Sequence, residues 1–274
     1  MVLFHVNIEK CEKCGMCAAV CPMGIIAWQD RRTVPAPVPP AEKMCITCGH
    51  CVCVCPHGAL SLEKMPVTDC EKVDPEGLPA FEQLAGLVSA RRSTRVFREE
   101  PVARQIMEEL ISAARFAPTG KNTRILHWLV IQGREKLTPF VRHSTDWMRD
   151  LVARQHPMSE MFGLEKIAAI QEAGHDIVLR GAPTLVVVSA PEEYMGGTVD
   201  AVIALTTFEL LAASKGIGTC WAGFFQLAAA MWPPMHEALM LPAGHKSCYA
   251  MMVGMPKYRL KRLPVRKKPS ITWL

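Results

Sequence analysis

From Phe81 onward the apolar positions follow two rhythms. Phe81, Leu84, Leu87 and Val88 recur at helical spacing. Pro101 opens a second helical pattern, with Val102, Ile106, Leu110 and Ala114 on one face, and Ala117-Pro118-Thr119-Gly120 stops it. Leu126–Gln132 predicts a strand, and mixed-polarity helical sequence runs from there to about Arg180. The valine run within Thr184–Ala190 predicts a buried strand. Val199–Lys215 predicts a strongly apolar helix whose acids are Asp200 and Glu209. Cys248–Val253 predicts a last strand before a basic, proline-rich tail. Helices interleaved with few strands place this half in the α+β class, as a central sheet flanked by helices and without internal repeats.

The first 66 residues keep neither rhythm. Their regularity lies in cysteine: Cys11-x2-Cys14-x2-Cys17-x3-Cys21-Pro22, then Cys45-x2-Cys48-x2-Cys51-x3-Cys55-Pro56. Between the two phrases, the tract Thr33–Pro40 predicts a stiff extended loop. Pro66, Asp69, Asp74, Pro75, Gly77 and Pro79 cluster around residues 67–79 and mark a linker. The expected division is therefore a domain at 1–66, the linker at 67–79, and a second domain at 80–274.

Three cysteines spaced by two residues can wrap one face of a cubane cluster, but a local chain cannot close the opposite face. Zinc sites use well-separated Cys-x-x-Cys pairs, and disulfides need an oxidising compartment. Residues 1–66 resemble the bacterial ferredoxins that carry two [4Fe–4S] clusters, a family in which the cysteine before proline ligates the other cluster. The resemblance implies one cluster on Cys11, Cys14, Cys17 and Cys55, and the other on Cys45, Cys48, Cys51 and Cys21. Cys53 lies between two of these ligands, Cys70, Cys220 and Cys248 are isolated, and all four read as small buried thiols.

The chain has 274 residues, half of them hydrophobic, which leaves a full core for the second domain. The start, Met1–Lys10, has neither the basic flank nor the apolar run of a secretion signal. The apolar stretch Ala182–Ala190 is too short to cross a bilayer. A cytoplasmic protein without membrane attachment is expected. Net charge is +5, of which residues 1–66 carry only +1. Each oxidised cluster with its thiolates adds about −2, so the loaded first domain is acidic and the second basic. Basic residues lack interleaved aromatics, which argues against nucleic acid.

Three segments of the second half share one chemistry: Arg91-Arg92-Ser93-Thr94-Arg95, Ala117-Pro118-Thr119-Gly120-Lys121-Asn122, and Gly216-Ile217-Gly218-Thr219-Cys220-Trp221-Ala222-Gly223. With Gly254-Met255-Pro256-Lys257-Tyr258-Arg259, the ordered set resembles the nitroreductase family of FMN enzymes across residues 80–274. Gly216-Ile217-Gly218 lacks the third glycine of a dinucleotide fold. The resemblance implies Arg91 and Ser93 on the FMN phosphate, with Arg92 beside them and Lys257 and Arg259 approaching from the tail. Arg95 would lie over the pyrimidine edge of the flavin, Asn122 would hydrogen-bond the ring, and backbone N–H groups of Ala222 and Gly223 would face N5 and O4. Where the family often has x-Gln-Pro after this asparagine, this chain has Thr123-Arg124-Ile125. Trp147, Met148, Met158, Met161 and Phe162 sit at helical spacing and read first as core or subunit contact, second as a lid. No side chain stands out as a catalytic acid or base. The family implies a homodimer; the fused cluster domain shifts the expected donor from NAD(P)H to a soluble ferredoxin or another low-potential donor, with a small-molecule acceptor such as a nitroaromatic, quinone or activated enone. The alternative is an electron-transfer module serving a larger redox complex.

Overall fold

The computed structural model describes residues 3–274; Met1 and Val2, which open the expected first domain, lie outside the described residues. Contacts divide the chain into two units, Met1–Leu78 with Gly120–Thr123, and Pro79–Thr119 with Arg124–Leu274.

The first unit runs β1 (Phe4–Val6), α1 (Met16–Ala19), β2 (Ile26–Ala27), β3 (Ala36–Pro37), α2 (Ala41–Met44), α3 (His50–Cys53) and β4 (Leu60–Leu62). β1 pairs with β4 and β2 with β3, both antiparallel. The proline tract read as a loop thus supplies a short strand, because Ala36 and Pro37 lie in register with Ala27 and Ile26. α1 and α3 each follow a left-handed glycine, Gly15 at φ 80° and Gly49 at φ 78°. Phe4, Ile25, Ile26, Val52, Leu60 and Leu62 form a small core that also holds Cys17 and Cys51. Val67 and Cys70 pack against it, so the first residues of the expected linker belong to this unit.

The second unit contains α4 (Phe81–Ala90), α5 (Arg104–Ala114), β5 (His127–Gln132), α6 (Arg134–Ala153), α7 (Pro157–Phe162), α8 (Leu164–Glu172), β6 (Thr184–Pro191), α9 (Gly197–Ser214), β7 (Gly218–Trp221), α10 (Gly223–Met231), α11 (Pro233–Ala238) and β8 (His245–Gly254). Its sheet is antiparallel, in the order β5-β6-β8-β7. Along β6 the side chains alternate between two cores. Leu185 and Val187 join α6, α8 and α10, while Val186 and Val188 join α5 and α9. Both faces of the sheet are covered, which is why β6 reads as an unbroken apolar run.

α5 begins at Arg104, three residues beyond Pro101. The Val102 carbonyl accepts a hydrogen bond from Gln132 Nε2 at 2.8 Å and is thereby held outside the helix. α9, not the Ala182–Ala190 stretch, is the helix long and apolar enough to span a membrane by length and composition among the described residues. It is a core helix here: it packs on α5, β6 and β8, and its two acids, Asp200 and Glu209, are buried with hydrogen-bonding partners.

Candidate functional site

The cluster loops enclose two cavities. One is lined by Cys11, Cys14, Cys17 and Cys55; the other by Cys21, Cys45, Cys48 and Cys51. The crossed grouping arises because the unit is two similar halves, each returning its last cysteine to the other. Both linings are otherwise almost wholly apolar. Among the described residues, no three His, Cys, Asp or Glu side chains converge tightly enough for a single metal ion. Four thiols around each pocket, in the spacing Cys-x2-Cys-x2-Cys-x3-Cys-Pro, fit a four-iron cluster with one thiolate per iron and not a zinc site. Burial pushes the Cys17 thiol up and the Cys51 thiol up to about 11. Cys53 is exposed, and Cys70 Sγ donates to the Pro66 carbonyl at 3.5 Å; neither lines a cavity.

In the second unit one extended segment stitches the motifs together. Thr94 N–H donates to the Thr219 carbonyl at 2.8 Å, Arg98 N–H to Met255 at 2.8 Å, and Lys257 N–H to Val96 at 3.0 Å. The Arg91–Arg95 run therefore lies between β7 and the chain leaving β8. Gly218 permits this approach, because a Cβ there would collide with Thr94 and Pro256. β7 itself escapes sequence reading: four residues beginning with glycine carry too little apolar periodicity.

Arg91, Arg92 and Arg259 line a groove together with Lys215, Lys261 and Arg262, and no carboxylate lines it. Arg91 Nη1 donates to the Oε1 atom of Glu209 at 3.0 Å, and Thr219 Oγ1 donates to the same oxygen at 3.1 Å. Glu209 is 5 % exposed. This buried carboxylate fixes one arm of the guanidinium and leaves its other donors for a ligand. Ser93, expected on the phosphate, and Arg95 do not line the groove and act on Cys220. Burial raises the Cys220 thiol, and the Arg95 and Arg180 cations with the Ser93 hydroxyl draw it partly back. Arg180, at φ 54°, has no motif that would have flagged it. Glu209 did have a signal, as one of two acids in an apolar helix.

The Ala222 expectation needs correction. The Ala222 N–H donates to the Ala250 carbonyl at 3.0 Å and is not free for a flavin; β8 uses it to extend its pairing past Trp221. Gly223 opens α10, where the first N–H groups have no partner within the helix. Asn122, expected on the ring, gives its Nδ2 hydrogens to the Ile46 and Thr47 carbonyls at 3.0 Å inside the first unit, so its Oδ1 is the atom left for a ring contact. Trp147 and Met148 are wholly buried core residues, whereas Met161 and Phe162 are exposed. Arg124 is exposed as well. Lys257 is tied through its backbone and does not line the groove.

Residues 88–255 match the model of the nitroreductase family. The chain belongs to the nitroreductase family. Residues 10–66 match the 4Fe-4S dicluster domain, so the paired cavities belong to a cluster-carrying domain joined to a nitroreductase domain. The chain is 27 % identical over 157 residues to a 4-nitrobenzoate reductase of Pseudomonas putida, covering 49 % of this chain and 69 % of that one. It is 24 % identical over 177 residues to a putative NADH dehydrogenase/NAD(P)H nitroreductase of Archaeoglobus fulgidus, covering 65 % and 87 %. Among solved structures, a nitroreductase with bound FMN from Bacteroides fragilis shares the fold at TM-score 0.58 and 22 % identity, covering 70 % of this chain and 98 % of that one. A second, from Desulfitobacterium hafniense, does so at TM-score 0.57 and 24 % identity, covering 70 % and 97 %. A nitroreductase-family chain with a dicluster domain is an electron-transfer oxidoreductase.

Proposed function

We propose that this chain takes electrons singly from a low-potential donor, passes them through two [4Fe–4S] clusters to FMN, and delivers them in pairs to an organic acceptor. The observation that carries the reading is the pairing, in one chain, of two four-cysteine cavities with an anion groove whose leading arginine is keyed by a buried glutamate. FMN, when bound, stores two electrons and so converts one-electron supply into two-electron reduction. Arg91, with Arg92 and Arg259, binds the phosphate; Glu209 orients Arg91; Arg95 supplies positive charge where the reduced ring gains negative charge. The Gly223 N–H is the backbone donor available beside them.

Two electrons and two protons convert a nitro group to a nitroso group and water, a quinone to a hydroquinone, or an enone to its saturated ketone. The protons come from solvent, since no acid side chain is assigned. The reading includes a cytoplasmic homodimer. The exposed apolar side of α4, which buries none of its residues, supports the second copy. The 4-nitrobenzoate reductase relative supports a nitroaromatic as the first acceptor to test.

Stopped-flow bleaching of the flavin separates donors. Reduced ferredoxin should reduce it much faster than NADH or NADPH, and replacing cluster cysteines should abolish the fast phase. Fast NADPH bleaching in a cluster-free variant would sink the proposal.

A further inference from the structure

The two cluster loops are built alike, and the likeness breaks at a single donor. In Cys11-Glu12-Lys13-Cys14 and Cys45-Ile46-Thr47-Cys48 the residue before the second cysteine is left-handed, Lys13 at φ 56° and Thr47 at φ 51°. For a β-branched threonine that conformation is strained and must be held by its surroundings. The residue after that cysteine is a left-handed glycine covered by a side chain. A Cβ on Gly15 would meet the Trp28 ring, and one on Gly49 would meet Met65 Sδ. Trp28 also donates from Nε1 to the Lys13 carbonyl at 3.0 Å. Met65, in the matching place, has no donor to give.

At the Thr47 carbonyl the donor is Asn122. Its Nδ2 lies 3.0 Å from that oxygen and 3.0 Å from the Ile46 oxygen. The segment Gly120–Thr123, drawn from between α5 and β5, packs as part of the cluster unit. Asn122 itself is left-handed, at φ 55°, a conformation asparagine tolerates.

The Ile46 carbonyl and the Thr47 N–H are the two ends of one planar peptide. That N–H points at Cys45 Sγ, 3.4 Å away. Asn122 thus polarises a peptide whose other end donates to a cluster sulfur. Hydrogen bonds in such a chain reinforce one another. Donors to cluster sulfurs stabilise the more negative, reduced state and raise the reduction potential.

We propose that Asn122 is the positioning residue of the cluster held by Cys45, Cys48, Cys51 and Cys21, and that its amide raises this cluster's potential through the Ile46–Thr47 peptide. Trp28 caps the other loop only at the Lys13 carbonyl, the counterpart of Thr47, and has no bond to the counterpart of Ile46. The segment Gly120–Thr123 therefore contributes a donor to the loop of one cluster and tunes that cluster independently of its sister.

The test is an anaerobic, EPR-monitored redox titration of the full-length holoprotein. Asn122→Gly keeps the left-handed backbone and removes both donors. Asn122→Asp keeps the shape and sets a carboxylate against two carbonyls. Both should lower the potential of one cluster only, so that its reduced-to-oxidised ratio at fixed potential falls about threefold to tenfold, the upper figure being about 59 mV for a one-electron couple. Trp28→Phe, which keeps the ring over Gly15 and removes the donor to Lys13, should leave the potential of the cluster on Cys45, Cys48, Cys51 and Cys21 unchanged. Selective loss of half the iron in either Asn122 variant would also support the assignment. Unchanged potentials, equal shifts in both clusters, or joint loss of both clusters in the two Asn122 variants would overturn it.

Discussion

A buried carboxylate beside an anion groove looks misplaced until its partners are counted. Glu209 takes hydrogen bonds from Arg91 and Thr219 on one oxygen, so its charge is used to aim a guanidinium. Glu209→Ala should cost about 2–4 kcal/mol, because it leaves Arg91 partly buried without its partner. Glu209→Gln should retain most of that stability and still loosen FMN. Denaturant unfolding and FMN titration of the apo-flavoprotein separate the two effects. Gly218→Ala attacks the same site through its backbone: the added methyl would push Thr94 and Pro256 apart. A cost of about 1–3 kcal/mol is expected, with loss of bound flavin on gel filtration. The cluster thiols give a pH dependence. Burial holds Cys17 above its usual value and Cys51 at about 11, so iron must displace protons to bind. Cluster assembly from ferrous iron and sulfide should therefore become more favourable between about pH 7 and 9, followed by the visible absorbance of the cluster. A pH-independent yield would show that the thiols are already ionised.

Elements were legible where one chemistry fills a whole segment. The valine run gave β6, because a strand covered on both faces needs apolar side chains on both. The cysteine phrases carry both cavities, because ligand spacing is local. Asn122 was not legible: its partners lie 75 and 76 residues away, and nothing in its own neighbourhood points to them. Nor was the loss of the Ala222 N–H, which depends on how far β8 extends its pairing. α4 stands between these cases. Its apolar pattern was plain, yet the structure buries none of it, and Phe81 is 78 % exposed. An apolar helix left uncovered in one chain fits the proposed second copy. Phe81→Ser with Leu84→Ser should shift the protein from dimer to monomer in sedimentation velocity while leaving its helical signal intact. A dimer unaffected by both changes would place the interface elsewhere.

The two units rest on different foundations, and iron removal should separate them. The nitroreductase unit has two apolar cores, one on each face of its sheet. The cluster unit has one small core, part of it cysteine, wrapped around two cavities. A domain so small gains little from apolar burial alone, and its fold is linked to its metal. Chelation should unfold Met1–Leu78 and leave the second unit native. The segment Gly120–Thr123 is the reporter, since it belongs to the cluster unit although most of its sequence neighbours do not. With clusters bound, Asn122 is tied to Ile46 and Thr47, and the adjoining Lys121–Asn122 bond is held in a compact turn. Once iron is lost, those carbonyls disperse and Lys121 becomes a trypsin site. Limited proteolysis followed by mass spectrometry should show cleavage after Lys121 only in the iron-depleted protein, together with general digestion of the first unit. Equal cleavage with and without iron would mean that the segment never depends on the clusters, and would separate the Asn122 contacts from the stability of the loop they bind.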